Sequence, residues 1–236
     1  MENTMRGNAR ADRLKRLDDF YGLVYEDQSE FILRHINEPF IDLGCGHGLW
    51  LAKLFRLGIK NIGIDIDYES LLAGKKISSG LRCCADASKL PLRKGIFEAM
   101  IFRESAHHFD IDKILNEARR YNIRKLIFFE PNDTLLLRLT HLIIRHKDPY
   151  ISIGDLINKL QNSSYSVEHL SFRDLFALSL SGGLIAPWSF PKLGLFGRLI
   201  VIIDRTICKL LPEILKRKFC IRFLLVAARD ENIAFT

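Results

Sequence analysis

Residues 40–48 read Phe-Ile-Asp-Leu-Gly-Cys-Gly-His-Gly, an apolar run of strand length that meets an acid and then three glycines at alternate positions. A helical pattern follows at once, Leu49-Trp50-Leu51-Ala52-Lys53-Leu54-Phe55. A buried strand that runs through glycines into a helix lets a ligand approach backbone where no Cβ intrudes, beside the unpaired N–H groups that open the helix. The local chemistry is that of a nucleoside-binding loop. Twenty-one residues after Gly44, the segment Asn61-Ile62-Gly63-Ile64-Asp65 is a second short apolar strand ending in a carboxylate, which in this layout can accept both hydrogen bonds from a ribose diol.

Further strand-like runs fall near 81–84, 96–102 and 125–130, with helical patterns between them, the alternation of a doubly wound parallel sheet. Helical stretches at about 133–146 and 152–160 follow, then a sixth strand over 164–172 and a last one over 219–228. A chain of 236 residues with 48% hydrophobic content suits one α/β domain with a full core. The five cysteines, Cys45, Cys83, Cys84, Cys208 and Cys220, form no C-x-x-C pair and support neither a metal site nor a disulfide framework. The first 19 residues are basic with no apolar stretch after them, so a cytoplasmic, reducing location is expected.

The glycine spacing separates two cofactor classes. The dinucleotide fingerprint G-x-G-x-x-G requires a small third residue at position 49, which is Leu49. The series Asp42-x-Gly44-x-Gly46-x-Gly48 instead resembles the first motif of class I S-adenosylmethionine-dependent methyltransferases of the small-molecule type. Asp65 resembles that family's ribose-binding acid. The segment Ala85-Asp86-Ala87-Ser88-Lys89-Leu90-Pro91-Leu92 is similar to its adenine-side segment, with Asp86 near the exocyclic amine and Ala87 beside it. Phe97 to Phe102 followed by Ser105-Ala106-His107-His108-Phe109 is similar to its fourth strand and the His-His-Phe after it, with Glu98 where the family usually has Asp. Glu130-Pro131-Asn132 closes the fifth strand with a turn common at this place.

The resemblance implies a class I methyltransferase Rossmann-like fold, a doubly wound, seven-stranded, mostly parallel sheet. It implies S-adenosylmethionine as cofactor, with Asp42, Gly44, Gly46 and Gly48 at its methionine end, Asp65 at the ribose, and Asp86 and Ala87 at the adenine. Among catalytic candidates, His107 and His108 are bases, with Glu130 behind them. Amino-group methyltransferases acting on nucleic-acid bases place Asn/Asp-Pro-Pro-aromatic after the fourth strand, where this chain has Arg103-Glu104-Ser105-Ala106. An oxygen or activated carbon of a small, lipophilic molecule is therefore the expected acceptor.

The domain organisation expected is a single unit, 1–236. A helical segment within 1–37 packs over the cofactor site, and a lid-like helical insertion, 173–218, separates the last two strands where a hairpin would do. Residues 175–191 carry no charge. Beyond them, 193–211 can form a helix in which Arg198, Arg205 and Lys209 fall within about 40° of one another, opposite Phe196, Ile200, Ile203, Ile207 and Leu210. Between Ala186 and Arg222 eight basic residues face two acids, which accounts for most of the chain's net charge of +7. A basic amphipathic helix beside an uncharged loop fits a lid, or a peripheral membrane contact through 175–211. The basic segment also motivates an RNA methyltransferase, but its basic residues are interleaved with aliphatics rather than with exposed aromatics suited to base stacking, so nucleic acid is disfavoured as a partner. A non-catalytic S-adenosylmethionine-binding protein is the remaining alternative.

Overall fold

The computed structural model describes residues 29–36, 39–77, 79–144, 149–180 and 195–230, together with Val24. Seven strands form one sheet: β1 (Phe40–Leu43), β2 (Asn61–Asp65), β3 (Arg82–Cys84), β4 (Ala99–Arg103), β5 (Lys125–Pro131), β6 (Tyr165–Arg173) and β7 (Arg222–Arg229). Their order is β3-β2-β1-β4-β5-β7-β6. The pairs from β3 through β5 are parallel, and β7 runs antiparallel to both β5 and β6. Helices α1 (Leu49–Arg56), α2 (Tyr68–Ile77), α3 (Ile111–Arg120), α4 (Leu135–Ile144) and α5 (Ile153–Asn162) connect the strands up to β6. Between β6 and β7 lie α6 (Ala177–Leu180), α7 (Leu195–Leu210) and α8 (Glu213–Phe219).

The central strands are apolar without alternation because helices cover both faces of the sheet. Phe40, Ile101, Ile127, Phe129, Leu224 and Val226 point to one face and pack with Trp50, Leu51 and Leu54 of α1. Ile41, Leu43, Met100, Phe102, Leu126 and Phe128 point to the other, against Ile114, Leu115 and Ala118 of α3 and Leu156 and Leu160 of α5. Phe102 and Phe128 stack at 4.5 Å between ring centroids across the β4–β5 pair. Helices α3 and α5 begin at side-chain caps, Asp110 accepting from the Lys113 N–H and Ser152 from the Asp155 N–H.

The strands lie near where the apolar runs place them, with two late starts: β4 begins at Ala99 rather than at 96. β7 begins at Arg222 rather than at 219, because Phe219 closes α8 and the Asn132 amide captures the Cys220 carbonyl at 2.7 Å. Of the N-terminal segment, residues 29–33 are helical, with Phe31 against His169 and under Arg173 of β6. The rest of that segment, apart from Val24 and 34–36, lies outside the described residues, as does 181–194 of the insertion. The seating of α7 does not follow from its basic and aliphatic faces. It turns a third face to the protein, Gly197, Val201, Asp204 and Cys208, and leaves Phe196, Ile203, Ile207 and Leu210 exposed.

Candidate active site

The strand order reverses between β1 and β4, so the loops leaving their carboxyl ends diverge and open a crevice. On one wall Gly44, Gly46 and Gly48 have φ of 73°, 53° and 62°, the left-handed region. Gly44 is doubly constrained, because a Cβ there would also lie 2.5 Å from that of Ser105. At Gly46 a Cβ would meet no heavy atom within 4 Å, so this peptide faces open space, as backbone that receives a ligand must. The Gly46 N–H donates to Asp65 Oδ2 at 2.7 Å, and the Asp67 N–H donates to Asp65 Oδ1 at 2.8 Å. Each oxygen of Asp65 is thus held by a backbone donor and retains acceptor capacity for a diol.

Asp86 is fully exposed, and its Oδ1 accepts from the N–H and hydroxyl of Ser88, each at 2.8 Å, bonds that hold its carboxyl below the usual range. Ala87 is buried. Their segment is pinned to α3, where Glu117 accepts the Leu90 N–H at 2.9 Å and the Tyr121 hydroxyl donates to the Leu90 carbonyl. Asp42 lies buried beneath the glycine loop, and burial pushes its carboxyl up to about 7, with Arg103 opposing and Asp65 adding to the shift. Burial likewise raises the Cys45 thiol well above its ordinary value, which removes it as a thiolate nucleophile.

Three further residues shape this wall without belonging to any motif. Arg82 of β3 donates to the carbonyls of His47 at 3.2 Å and Gly48 at 3.1 Å, clamping the loop from outside. Gly74 of α2 packs so tightly on His47 that a Cβ would overlap its carbonyl oxygen. Ile66, directly after Asp65 at the carboxyl end of β2, is an exposed apolar side chain. Only the exposure of Ile66 had any signal in sequence, an isoleucine just past the strand-ending acid.

The opposite wall is the loop after β4. The Ser105 hydroxyl donates to the Leu43 carbonyl at 2.6 Å, which ties this loop to the end of β1. Glu130, at the end of β5, is wholly buried and takes the N–H groups of Ser105 and Ala106 on Oε1, both at 2.9 Å. Its Oε2 lies 2.7 Å from His107 Nδ1. A carboxylate only accepts, so Nδ1 carries a proton, and in the neutral imidazole the lone pair is then on Nε2. Glu130 thus braces the loop after β4 from beneath through Ser105, Ala106 and His107. His108 stacks obliquely on His107 at 4.1 Å between centroids and is exposed. No group of three or more His, Cys, Asp or Glu placed to hold a metal occurs among the described residues.

Residues 41–125 match the family described as Methyltransferase domain. Over 40 residues, 16% of this chain, the sequence is 48% identical to the ribosomal protein L11 methyltransferase of Shewanella baltica (strain OS155 / ATCC BAA-1091), a stretch covering only 14% of that protein's length. Among solved structures the chain is similar to geranyl diphosphate C-methyltransferase from Streptomyces coelicolor A3(2), in complex with Mg2+, geranyl diphosphate and S-adenosyl-L-homocysteine. The TM-score is 0.61 at 14% identity, over 87% of this chain and 81% of that one. It is also similar to magnesium protoporphyrin IX methyltransferase from Synechocystis PCC 6803 with bound S-adenosylhomocysteine, at TM-score 0.56 and 13% identity over 93% of both chains. At these identities the likeness is one of fold.

Proposed function

We propose that this chain is an S-adenosylmethionine-dependent methyltransferase, a reading that the match of residues 41–125 to the Methyltransferase domain family supports, and that it methylates an oxygen or an activated carbon of a small, lipophilic molecule with His107 as the proton acceptor. The observation that carries the reading is the His107–Glu130 contact of 2.7 Å at the crevice where the strand order reverses. Bound S-adenosylmethionine supplies an electrophilic methyl on a sulfonium whose departure needs no acid. What remains for the protein is to align the acceptor and remove its proton. Glu130 fixes the His107 tautomer and leaves Nε2 to receive that proton. Gly44, Gly46 and Gly48, over the buried Asp42, would hold the cofactor's methionine end on bare backbone. Asp65 would accept from the ribose diol, and Asp86, Ala87 and Ile66 would hold the adenine.

A small, lipophilic acceptor is supported by what sits at the same edge. β6 runs parallel to β5, since both are antiparallel to β7, so the insertion leaves the sheet at the edge that carries the crevice. Exposed leucines and isoleucines of α4 and α7 lie along the connections that start there. A cytoplasmic location with peripheral membrane contact through 175–211 belongs to this reading. No helix among the described residues is long and apolar enough to cross a membrane.

The test is incubation of the full chain with methyl-labelled S-adenosylmethionine and lipid or small-metabolite extracts, followed by mass spectrometry. Once an acceptor is found, His107→Ala should lower kcat by roughly 10²–10⁴ while S-adenosylhomocysteine affinity is kept. Undiminished turnover by His107→Ala would remove the histidine from the mechanism.

A further inference from the structure

We infer that the outward faces of α4 and α7, with α8 beside them, form a docking surface for an anionic lipid bilayer. This extends the peripheral contact proposed for 175–211 to two further helices, and it stands on surface chemistry that is independent of the catalytic assignment. A surface helix ordinarily turns its wide apolar arc inward. In α7 the buried residues Gly197, Val201, Asp204 and Cys208 occupy about 60° of the helical wheel, whereas Phe196, Leu199, Ile202, Ile203 and Leu210 spread over about 120° of its solvent side. Those five are between 42% and 79% exposed. In α4, Leu137 and His141 are buried while Leu135, Leu139 and Leu142 are between 48% and 75% exposed.

Both helices rest on one small buried cluster containing Leu137, Val201, Ala177, Leu178 and Ile221, so their outward arcs turn away from a common base. α8 contacts α4, and the Asn132 amide holds its end by donating to the carbonyls of Arg217 at 2.9 Å and Cys220 at 2.7 Å. Charge identifies the occupant. Exposed Arg198 and Lys209 border the apolar arc of α7, and exposed Arg217 and Lys218 lie on α8. The acids of these two helices do not oppose them: Asp204 is buried, and Glu213 bonds Lys216 at 2.6 Å. A wide apolar arc with a basic rim is the chemistry of a helix lying in the headgroup region of an anionic membrane. A second copy docked face to face would instead bring a like-charged rim against this one.

The experiment is flotation of the full chain with phosphatidylcholine vesicles, with and without phosphatidylglycerol, at low salt. The protein should float with the anionic vesicles and be released as salt is raised. The pair R198Q and K209Q should weaken that binding about thirtyfold, as two surface charges near an anionic leaflet predict. The pair L199Q and I203Q should abolish it, and both double variants should keep their affinity for S-adenosylhomocysteine, whose crevice lies elsewhere. Failure of the unmodified protein to float with anionic vesicles at low salt overturns the proposal. So does a patch variant that floats unchanged while light scattering shows it converted from dimer to monomer, which would assign the face to a second copy. Because S-adenosylhomocysteine binding and methyl transfer to a soluble acceptor are read separately, a failure here is distinct from a failure of the catalytic reading.

Discussion

Helices α3 and α7 are both amphipathic, yet they are seated in opposite senses. α3 buries Ile111, Ile114, Leu115 and Ala118 against the sheet and exposes Asp112, Lys113 and Asn116. α7 buries a glycine, a valine, a cysteine and an acid, and exposes most of its large aliphatics. Each also buries one carboxylate that holds a neighbouring segment by its backbone. Glu117 of α3 accepts the Leu90 N–H, and Asp204 of α7 accepts the N–H groups of Leu175, Phe176 and Ala177 at 2.9–3.3 Å. The lesson is that periodicity reveals two chemically distinct faces, while only packing decides which one turns inward. Where small or polar residues suffice to seat a helix, its apolar face is left for something outside the fold.

The contrast is broken or sharpened most strongly by truncating one leucine on each helix. Leu115→Ala should cost about 2–4 kcal/mol, because it leaves a cavity at a site that is only 1% exposed. Leu199→Ala should change stability by less than about 0.5 kcal/mol. Thermal or urea denaturation of the two variants checks this. Comparable losses would mean that the outer face of α7 is covered in solution, and the inversion would have to be dropped.

A smaller effect belongs to the junction below α7. Asp174 is buried where β6 ends, and burial pushes its carboxyl up to about 6, with Arg173 opposing the shift and Asp204 adding to it. In the unfolded chain the same group ionises near pH 4. Between about pH 4 and 6 the native state therefore holds a proton that the unfolded state has lost, so this group's contribution to stability falls as pH rises through that window. Asp174→Asn removes the titration. Its stability relative to the unmodified protein should improve with pH by on the order of 2 kcal/mol across the window, then level off. Parallel stability curves for the two proteins would show that Asp174 is not the group held protonated.

The strands were legible because a parallel strand covered on both faces must be almost wholly apolar, as in Leu126–Phe129 and, Asp42 apart, in Phe40–Leu43. The glycine loop was legible because left-handed backbone at Gly44, Gly46 and Gly48 restricts those positions to glycine. Asp65 could be placed because it ends a strand next to that loop. Arg82 and Gly74 were not visible, since the one reaches the loop's carbonyls and the other its backbone from elements that only the folded sheet brings near. The roles of His107 and Glu130 could be separated only once the buried carboxylate was seen to be occupied by three donors. For α7 the spacing separated a basic side from an aliphatic one, but the residues that seat the helix are small and carried no hydrophobic signal.

The central claim is that the crevice between β1 and β4 is built to hold S-adenosylmethionine, with the ribose diol on Asp65. Calorimetric titration of S-adenosylhomocysteine into the unmodified protein and into Asp65→Ala tests it directly. The unmodified protein should bind one equivalent and give no heat with NAD, because Leu49 stands where the dinucleotide fingerprint needs a small residue. Asp65→Ala should weaken binding at least tenfold, since charge-assisted bonds to the diol contribute roughly 1.5–3 kcal/mol each. Heat with NAD and none with S-adenosylhomocysteine, or an affinity unchanged by Asp65→Ala, would contradict the account.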